Sequence, residues 1–264
     1  MTPAPDQPLP IIDLHSHLVP GVDDGTATVA ESIATLVSLY DEGVRTVVTT
    51  PHLLVPHLQT DAALERELDT HRRAFDQLLR AAAGRQDLPA VALGQEIWAP
   101  DGAAVRRVAR RSDIGLSGKF LLVEFGFELQ GSHLDVIREV MDAGRQIVVA
   151  HPERYEYLPG HDPLELMQRW RELGALLQVN VGSLNGYYRR SSPASEELSW
   201  QMISQGLMDV LASDHHGPRR TGVSPREALD TLIAHDELAL ATRAMVETPG
   251  LILGSKPLTS GFPG

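Results

Sequence analysis

The sequence predicts an α/β fold in which seven parallel strands alternate with helices and close into a TIM-like (β/α)7 barrel. Three observations lead there. Seven short runs rich in β-branched residues or leucine recur along the 264 residues, apolar on both faces, as strands covered on two sides must be. Between them lie amphipathic segments that carry helix start and stop chemistry. Four of the runs follow a helix-ending glycine (Gly43, Gly144, Gly174 or Gly206) within a few residues, which is the short connection of a repeating βα unit.

The first strand covers residues 10–14. Thr28-Val29-Ala30-Glu31 then forms a capping box, in which the threonine hydroxyl and the glutamate carboxylate each satisfy an orphan backbone N–H, and the helix it opens stops at Gly43. A strand at 45–50, a helix over 61–84 and a strand at 90–94 follow. Strands at 120–123 and 146–150 flank a helix over 132–144. Asp162-Pro163 starts a helix that stops at Gly174; proline fits the first helical position because its missing N–H would be unpaired there anyway. A strand at 176–181, a helix over 192–206 and a strand at 208–213 complete the pattern. Residues 11–253 read as a single domain, with flexible ends at 1–10 and 254–264 rich in Pro, Gly, Ser and Thr.

Composition narrows the function. Lys and Arg total 23 against 35 Asp and Glu, so the net charge is −12 with neutral histidines, and a basic nucleic-acid-binding surface is excluded. At 42% hydrophobic and 22% charged residues the chain reads as a soluble globular protein, and at this length folding buries roughly 70–75% of the unfolded surface. The absence of cysteine removes disulfides, thiolate metal sites and thiol nucleophiles together. No window approaches the ~18 apolar residues of a membrane helix, and the first ten residues lack the charge and apolar run of a signal peptide. A cytoplasmic enzyme without membrane insertion is expected.

The chemistry sits at the strand ends. Of eleven histidines, five lie at or just past the carboxyl end of a strand: His15, His17, His52, His151 and His216. Carboxylates hold matching positions, Glu96 in G-Q-E, Glu124 in L-L-V-E-F, Asp214 in A-S-D-H-H and Asp24 in V-D-D-G. That face is where parallel barrels place catalytic groups. His-x-His in an extended segment puts both rings on one side, and imidazoles with carboxylate oxygens suit manganese, iron or zinc. Nine donors exceed what one ion takes, so two or three ions are expected, with one carboxylate bridging. Three divalent ions against four carboxylates leave a net +2, attractive to a phosphate dianion, and paired ions ~3.5–4 Å apart serve phosphoryl transfer. Arg154 in A-H-P-E-R-Y, and Arg219 or Arg220 after D-H-H-G-P, are the candidate catalytic arginines, since guanidinium pairs bidentately with phosphate.

The motifs D-L-H-S-H, V-D-D-G, T-P-H, Q-E-I, V-E-F, A-H-P-E-R-Y and A-S-D-H-H, in that order, resemble the PHP (polymerase and histidinol phosphatase) superfamily, and within it the CpsB/CapC/YwqE-type bacterial metal-dependent protein-tyrosine phosphatases. The resemblance implies a distorted seven-stranded barrel and three divalent ions, manganese first with iron or zinc as alternatives. His15, His17, Glu96 and Asp214 would hold one ion, Glu96 would bridge to a second held by Glu124 and His151, and Asp24, His52 and His216 would hold the third. It further implies that a metal-bridged hydroxide attacks phosphorus, that Arg154 binds phosphate, and that the substrate is the phosphotyrosine tail of a cognate kinase in capsule or exopolysaccharide synthesis.

Two departures are Gln95 before the glutamate and His215 between two ligands, where it could narrow the pocket. Histidinol phosphate or another small phosphoester is the rival substrate. A binuclear amidohydrolase or DNase would place a histidine at the end of the sixth strand, where this chain reads Q-V-N-V-G, and an inactive metal-binding module would have lost ligands. Asp23 is read as shaping its turn, and Arg189-Arg190 and His57 are left as candidates, for a substrate rim and a substrate contact respectively.

Overall fold

The structure is a computed structural model and describes residues 9–129, 131–220 and 222–254. The ends expected at 1–10 and 254–264 lie, apart from residues 9, 10 and 254, outside the described residues. The chain runs β1 (Ile11–Asp13), α1 (Val29–Asp41), β2 (Val44–Thr49), β3 (His52–Leu54), α2 (Asp61–Ala82), β4 (Ala90–Leu93), β5 (Glu96–Trp98), α3 (Gly102–Ala109), β6 (Phe120–Glu124), α4 (His133–Asp142) and β7 (Gln146–Ala150). It continues through α5 (Pro163–Glu172), β8 (Leu176–Asn180), α6 (Val181–Leu184), α7 (Ser195–Ser204), β9 (Val210–Ala212), α8 (Pro225–Ala234), α9 (Leu238–Thr242) and α10 (Thr248–Leu253). The threonine half of the capping box holds, Thr28 accepting from the Glu31 amide at 3.2 Å, while Glu31 accepts from the amide of Ala27, one residue before the cap, at 2.7 Å.

Every strand pairing is parallel, as expected. The strand count differs. Among the described residues nine strands form two sheets, β1-β2-β4 and β3-β5-β6-β7-β8-β9, because the strands expected at 45–50 and 90–94 are each followed, past a break, by a further three-residue strand. Pro51 supplies no N–H to the ladder, and Gly94 lies where a Cβ would come within 3.0 Å of Val48 and 3.1 Å of the Gly115 carbonyl. Hydrogen bonding crosses both breaks, from Gly94 N to Thr49 O at 2.8 Å and from Glu96 N to Pro51 O at 3.2 Å. At the other edge the exit of β1 meets the exit of β9: Ser16 and His215 form a parallel bridge, with Asp214 N and His17 N donating to His15 O and His215 O, each at 2.8 Å.

Side chains alternate between two cores. Leu121, Val123, Ile147 and Val149 join the large core that also contains helix residues such as Trp170 and Val136. Their strand neighbours Leu122, Val148 and Ala150 pack with Val48, Val210, Ala212 and Ile252 of α10 in a second one. Burial on both faces is what the unbroken apolar runs encode, and each fully buried Leu or Val stabilises the fold by about 1.5–3 kcal/mol relative to exposure. The rigid sheet leaves its carboxyl ends to carry the polar groups.

Candidate metal centre

All nine expected ligands come together at the carboxyl ends of the strands. His15 Nε2 lies 3.2 Å from His17 Nε2, 3.3 Å from Glu96 Oε1 and 3.6 Å from Asp214 Oδ1. Glu96 Oε1 is 3.0 Å from His151 Nε2, and Glu96 Oε2 is 2.9 Å from His52 Nδ1. Asp24 Oδ1 lies 3.3 Å from both His52 Nε2 and His216 Nε2. Among the described residues four overlapping sets have donor atoms within 4.8 Å of one another: His17-Asp24-His52-His216, His15-Glu96-His151, His15-His17-Asp214 and His52-Glu96-Glu124. His15, His17, His52 and Glu96 each belong to two sets, whereas the resemblance implies that Glu96 alone is shared. Asp24 is 65% exposed and His52 27%, while the other seven are buried; the cluster therefore opens on their side.

Local structure forces this convergence. Gly25 packs so tightly that a Cβ there would sit 2.0 Å from the His17 carbonyl oxygen, which is the reason glycine ends V-D-D-G. His151 (φ 34°) and Asp214 (φ 51°) occupy the left-handed region, a conformation costing of order 1–3 kcal/mol that persists only where surroundings dictate it. Both turn the chain at a strand exit and both point into the cluster.

Three histidines have their Nδ1 committed elsewhere. His15 Nδ1 donates to Gln178 Oε1 at 2.9 Å, His17 Nδ1 to Asp23 Oδ2 at 2.8 Å, and His216 Nδ1 to the Asp214 carbonyl at 2.9 Å. This fixes the tautomer that presents a bare Nε2 to a metal. Gln178 Nε2 donates to Asn180 Oδ1 at 2.7 Å, and Asn180 Nδ2 to Asp214 Oδ2 at 2.9 Å. An amide chain on β8 thus orients candidate ligands at the exits of β1 and β9.

The donor set fits divalent ions. Within it, His151 Nδ1 is buried without a hydrogen bond, and two imidazole nitrogens face each other at 3.2 Å. Such a concentration of buried ionisable groups is costly unless cations share their lone pairs. The charges act strongly on one another. Burial lowers the basicity of His15 and His17, but Glu96 and Asp214 around His15, and Asp214, Asp23 and Glu96 around His17, outweigh it and hold both above the usual imidazole range. Burial opposes protonation of His52 too, yet Asp24 and Glu96 push it to about 10. Burial, reinforced by the Glu96 charge, raises Glu124 to about 7, while the histidines keep Glu96 and Asp214 well below the ordinary carboxylate range despite their burial.

Arg154 Nη1 donates to Asp214 Oδ2 at 2.8 Å. Its guanidinium lies 4.0 Å from the centre of the Tyr188 ring and 5.1 Å from that of Phe127. Arg220 Nη1 donates to the Asp214 carbonyl at 3.0 Å; Arg219 is exposed and has no ion pair among the described residues. His215 accepts from the Gly217 amide at 2.9 Å, and burial pushes it down to about 4, so it is neutral and engaged with its own turn. Gln95 accepts from the Gly115 amide at 2.8 Å. Arg189 is paired with Glu196 at 2.6 Å, and the exposed His57 sits edge-on to Trp98. A cleft of about 520 Å³, lined by His52, Glu124, Leu54, Trp98 and Phe127 among others, leads to the cluster.

Sequence reasoning missed three supporting residues. Asp23 shapes its turn by accepting from Gly25 N at 3.0 Å, but it also holds His17 and accepts from His52 N at 3.2 Å. Gln178 and Asn180 were legible as a period-two polar pair on an otherwise apolar strand, which is anomalous in a fully covered sheet.

A family described as capsular polysaccharide synthesis, CpsB/CapC, matches residues 11–253. Tyrosine-protein phosphatase YwqE of Bacillus subtilis is 29% identical over 225 residues, 84% of each chain. Tyrosine-protein phosphatase CpsB of Streptococcus pneumoniae is 25% identical over 249 residues, 92% of this chain and 98% of that one. A crystal structure of these two proteins, described as unique metal-dependent tyrosine phosphatases, matches with a TM-score of 0.75 and 26% identity over 92% of this chain and 94% of that one. The fold alone is shared with the phosphotriesterase homology protein of Escherichia coli, at a TM-score of 0.52 and 13% identity, over 93% of this chain and 99% of that one.

Proposed function

The chain belongs to the CpsB/CapC capsular polysaccharide synthesis family, and on that premise we propose that it is a metal-dependent phosphomonoester hydrolase that removes phosphate from tyrosine in a protein substrate. One observation carries the reading: nine histidine and carboxylate side chains from separate strand exits converge in four overlapping donor sets, with Arg154 paired to one of them at 2.8 Å. The proposal assigns three divalent ions, manganese first, to His15, His17, Asp24, His52, Glu96, Glu124, His151, Asp214 and His216. Ions held there supply Lewis acidity, lowering the pKa of water toward neutrality and offsetting charge on phosphoryl oxygens.

The protein's own groups do the rest. Arg154, held by Asp214 and stacked on Tyr188, presents a guanidinium to phosphate oxygens, and Arg220 adds a second positive charge on the same side. Gln178, Asn180 and Asp23 keep the imidazoles in the binding tautomer. A phenol leaves with a pKa of about 10, so no strong acid is required of the protein. The two sheets are read together as one seven-position barrel, supported by the ladder that crosses both strand breaks and by the Ser16–His215 bridge. The partner proposed is the phosphotyrosine tail of a bacterial kinase in capsule or exopolysaccharide synthesis, met in the cytoplasm. Among the described residues no helix is long and apolar enough to cross a membrane.

The test is hydrolysis of a phosphotyrosine peptide by the manganese-loaded protein, with and without chelator. Release of phosphate that chelation abolishes and manganese restores is expected, with no effect of iodoacetamide because the chain lacks cysteine. Full activity after demetallation would overturn the reading, and turnover of histidinol phosphate instead would redirect it to the other phosphatase branch.

A further inference from the structure

We infer that Leu54, Trp98 and Phe127 form an aryl-binding subsite above the metal-ligating tier, which selects phosphate esters of aromatic alcohols. The inference rests on the phosphatase reading and names its specificity element.

Strand register builds the subsite. His52 pairs with Glu96 across β3 and β5, and two residues on, Leu54 pairs with Trp98. Because side chains alternate with period two, Leu54 and Trp98 stand on the same face as the ligands and one step nearer the strand exits. On the next strand Trp98 pairs with Glu124, and two residues beyond it stands Gly126. Gly126 has φ +95°, and a Cβ there would lie 3.0 Å from Trp98 Nε1, so the backbone passes directly against the indole and turns outward. Phe127 follows.

Phe127 is 49% exposed and Leu54 40%. A single exposed apolar side chain is ordinary, but these line one cleft with Trp98, and its floor is His52 and Glu124. The Phe127 backbone is anchored: its carbonyl accepts from Glu156 N at 2.6 Å, and Leu129 N donates to Glu156 O at 3.2 Å. Its ring lies 6.2 Å from the His151 ring at an interplanar angle of 14°, beside the Arg154 guanidinium. A phosphoryl group held by Arg154 would therefore carry its leaving group along an apolar, aromatic face. An aryl group gains contact there, whereas a short alkyl chain does not reach it.

Binding of two non-hydrolysable probes to the metal-loaded protein separates this from the activity. By calorimetry, phenylphosphonate should bind about tenfold more tightly than methylphosphonate, the scale of one aromatic contact plus its burial. Phe127→Ala should reduce that ratio several-fold, and Leu54→Ala, at a second exposed position, should reduce it as well. Equal affinity of the two probes for the wild-type protein, or an unchanged ratio in both variants, would overturn the subsite. Failure of the phosphatase reading has a different signature, namely no phosphate release from phosphotyrosine peptide whatever the probe ratio.

Discussion

Asp23 Oδ2 lies 2.8 Å from His17 Nδ1, so an aspartate outside the four donor sets decides which nitrogen of a buried histidine faces the candidate metal centre. The neighbouring Asp24 instead reaches His52 and His216 directly. Asp23→Asn should keep the fold and weaken metal binding by about 10–100-fold, as loss of an outer carboxylate partner generally does. Competition with a chromogenic chelator measures it. Wild-type affinity in the variant would reduce Asp23 to a turn residue.

Metal loading should release protons. His15 and His17 are held above the usual imidazole range, and His52 is raised to about 10, so at pH 7 the ion-free cluster binds protons that ions must displace. Loading should liberate at least about one proton per chain and weaken as pH falls. Calorimetry in buffers of different ionisation enthalpy counts them. A heat independent of buffer would contradict the protonation scheme.

The arginines should separate. Arg154→Ala removes the guanidinium paired to Asp214 and should cost about 2–4 kcal/mol in kcat/KM with the ions still bound. Arg220→Ala should cost more than Arg219→Ala, because Arg220 contacts Asp214 and Arg219 is exposed. Steady-state kinetics on metal-quantified protein decides; equal losses at 219 and 220 would contradict the assignment.

The residues of the candidate site were readable in the sequence because a strand exit is marked twice, by the end of an apolar run and by the polar residue that follows. His151 after V-V-A and Glu124 after L-L-V are of this kind. The strand breaks were not readable: Pro51 and Gly94 looked like strand termini, and the short strands β3 and β5 beyond them are only three residues each. Helix α3 escaped notice because Asp101, which caps it by accepting from Ala104 N at 2.8 Å, is followed by glycine, normally a stop signal. Sequence spacing also could not show that His15, His17, His52 and Glu96 each belong to two donor sets, since that depends on how distant strand exits pack.

The central claim is that nine residues hold three ions, and metal counting in His52→Ala tests it most directly. His52 is a candidate ligand shared by two donor sets, with Nδ1 2.9 Å from Glu96 and Nε2 3.3 Å from Asp24. The wild-type protein should bind about three equivalents and the variant about two, with turnover of a phosphotyrosine peptide lower by about 10²-fold or more on the same preparation. Unchanged stoichiometry and unchanged turnover would contradict the three-ion account.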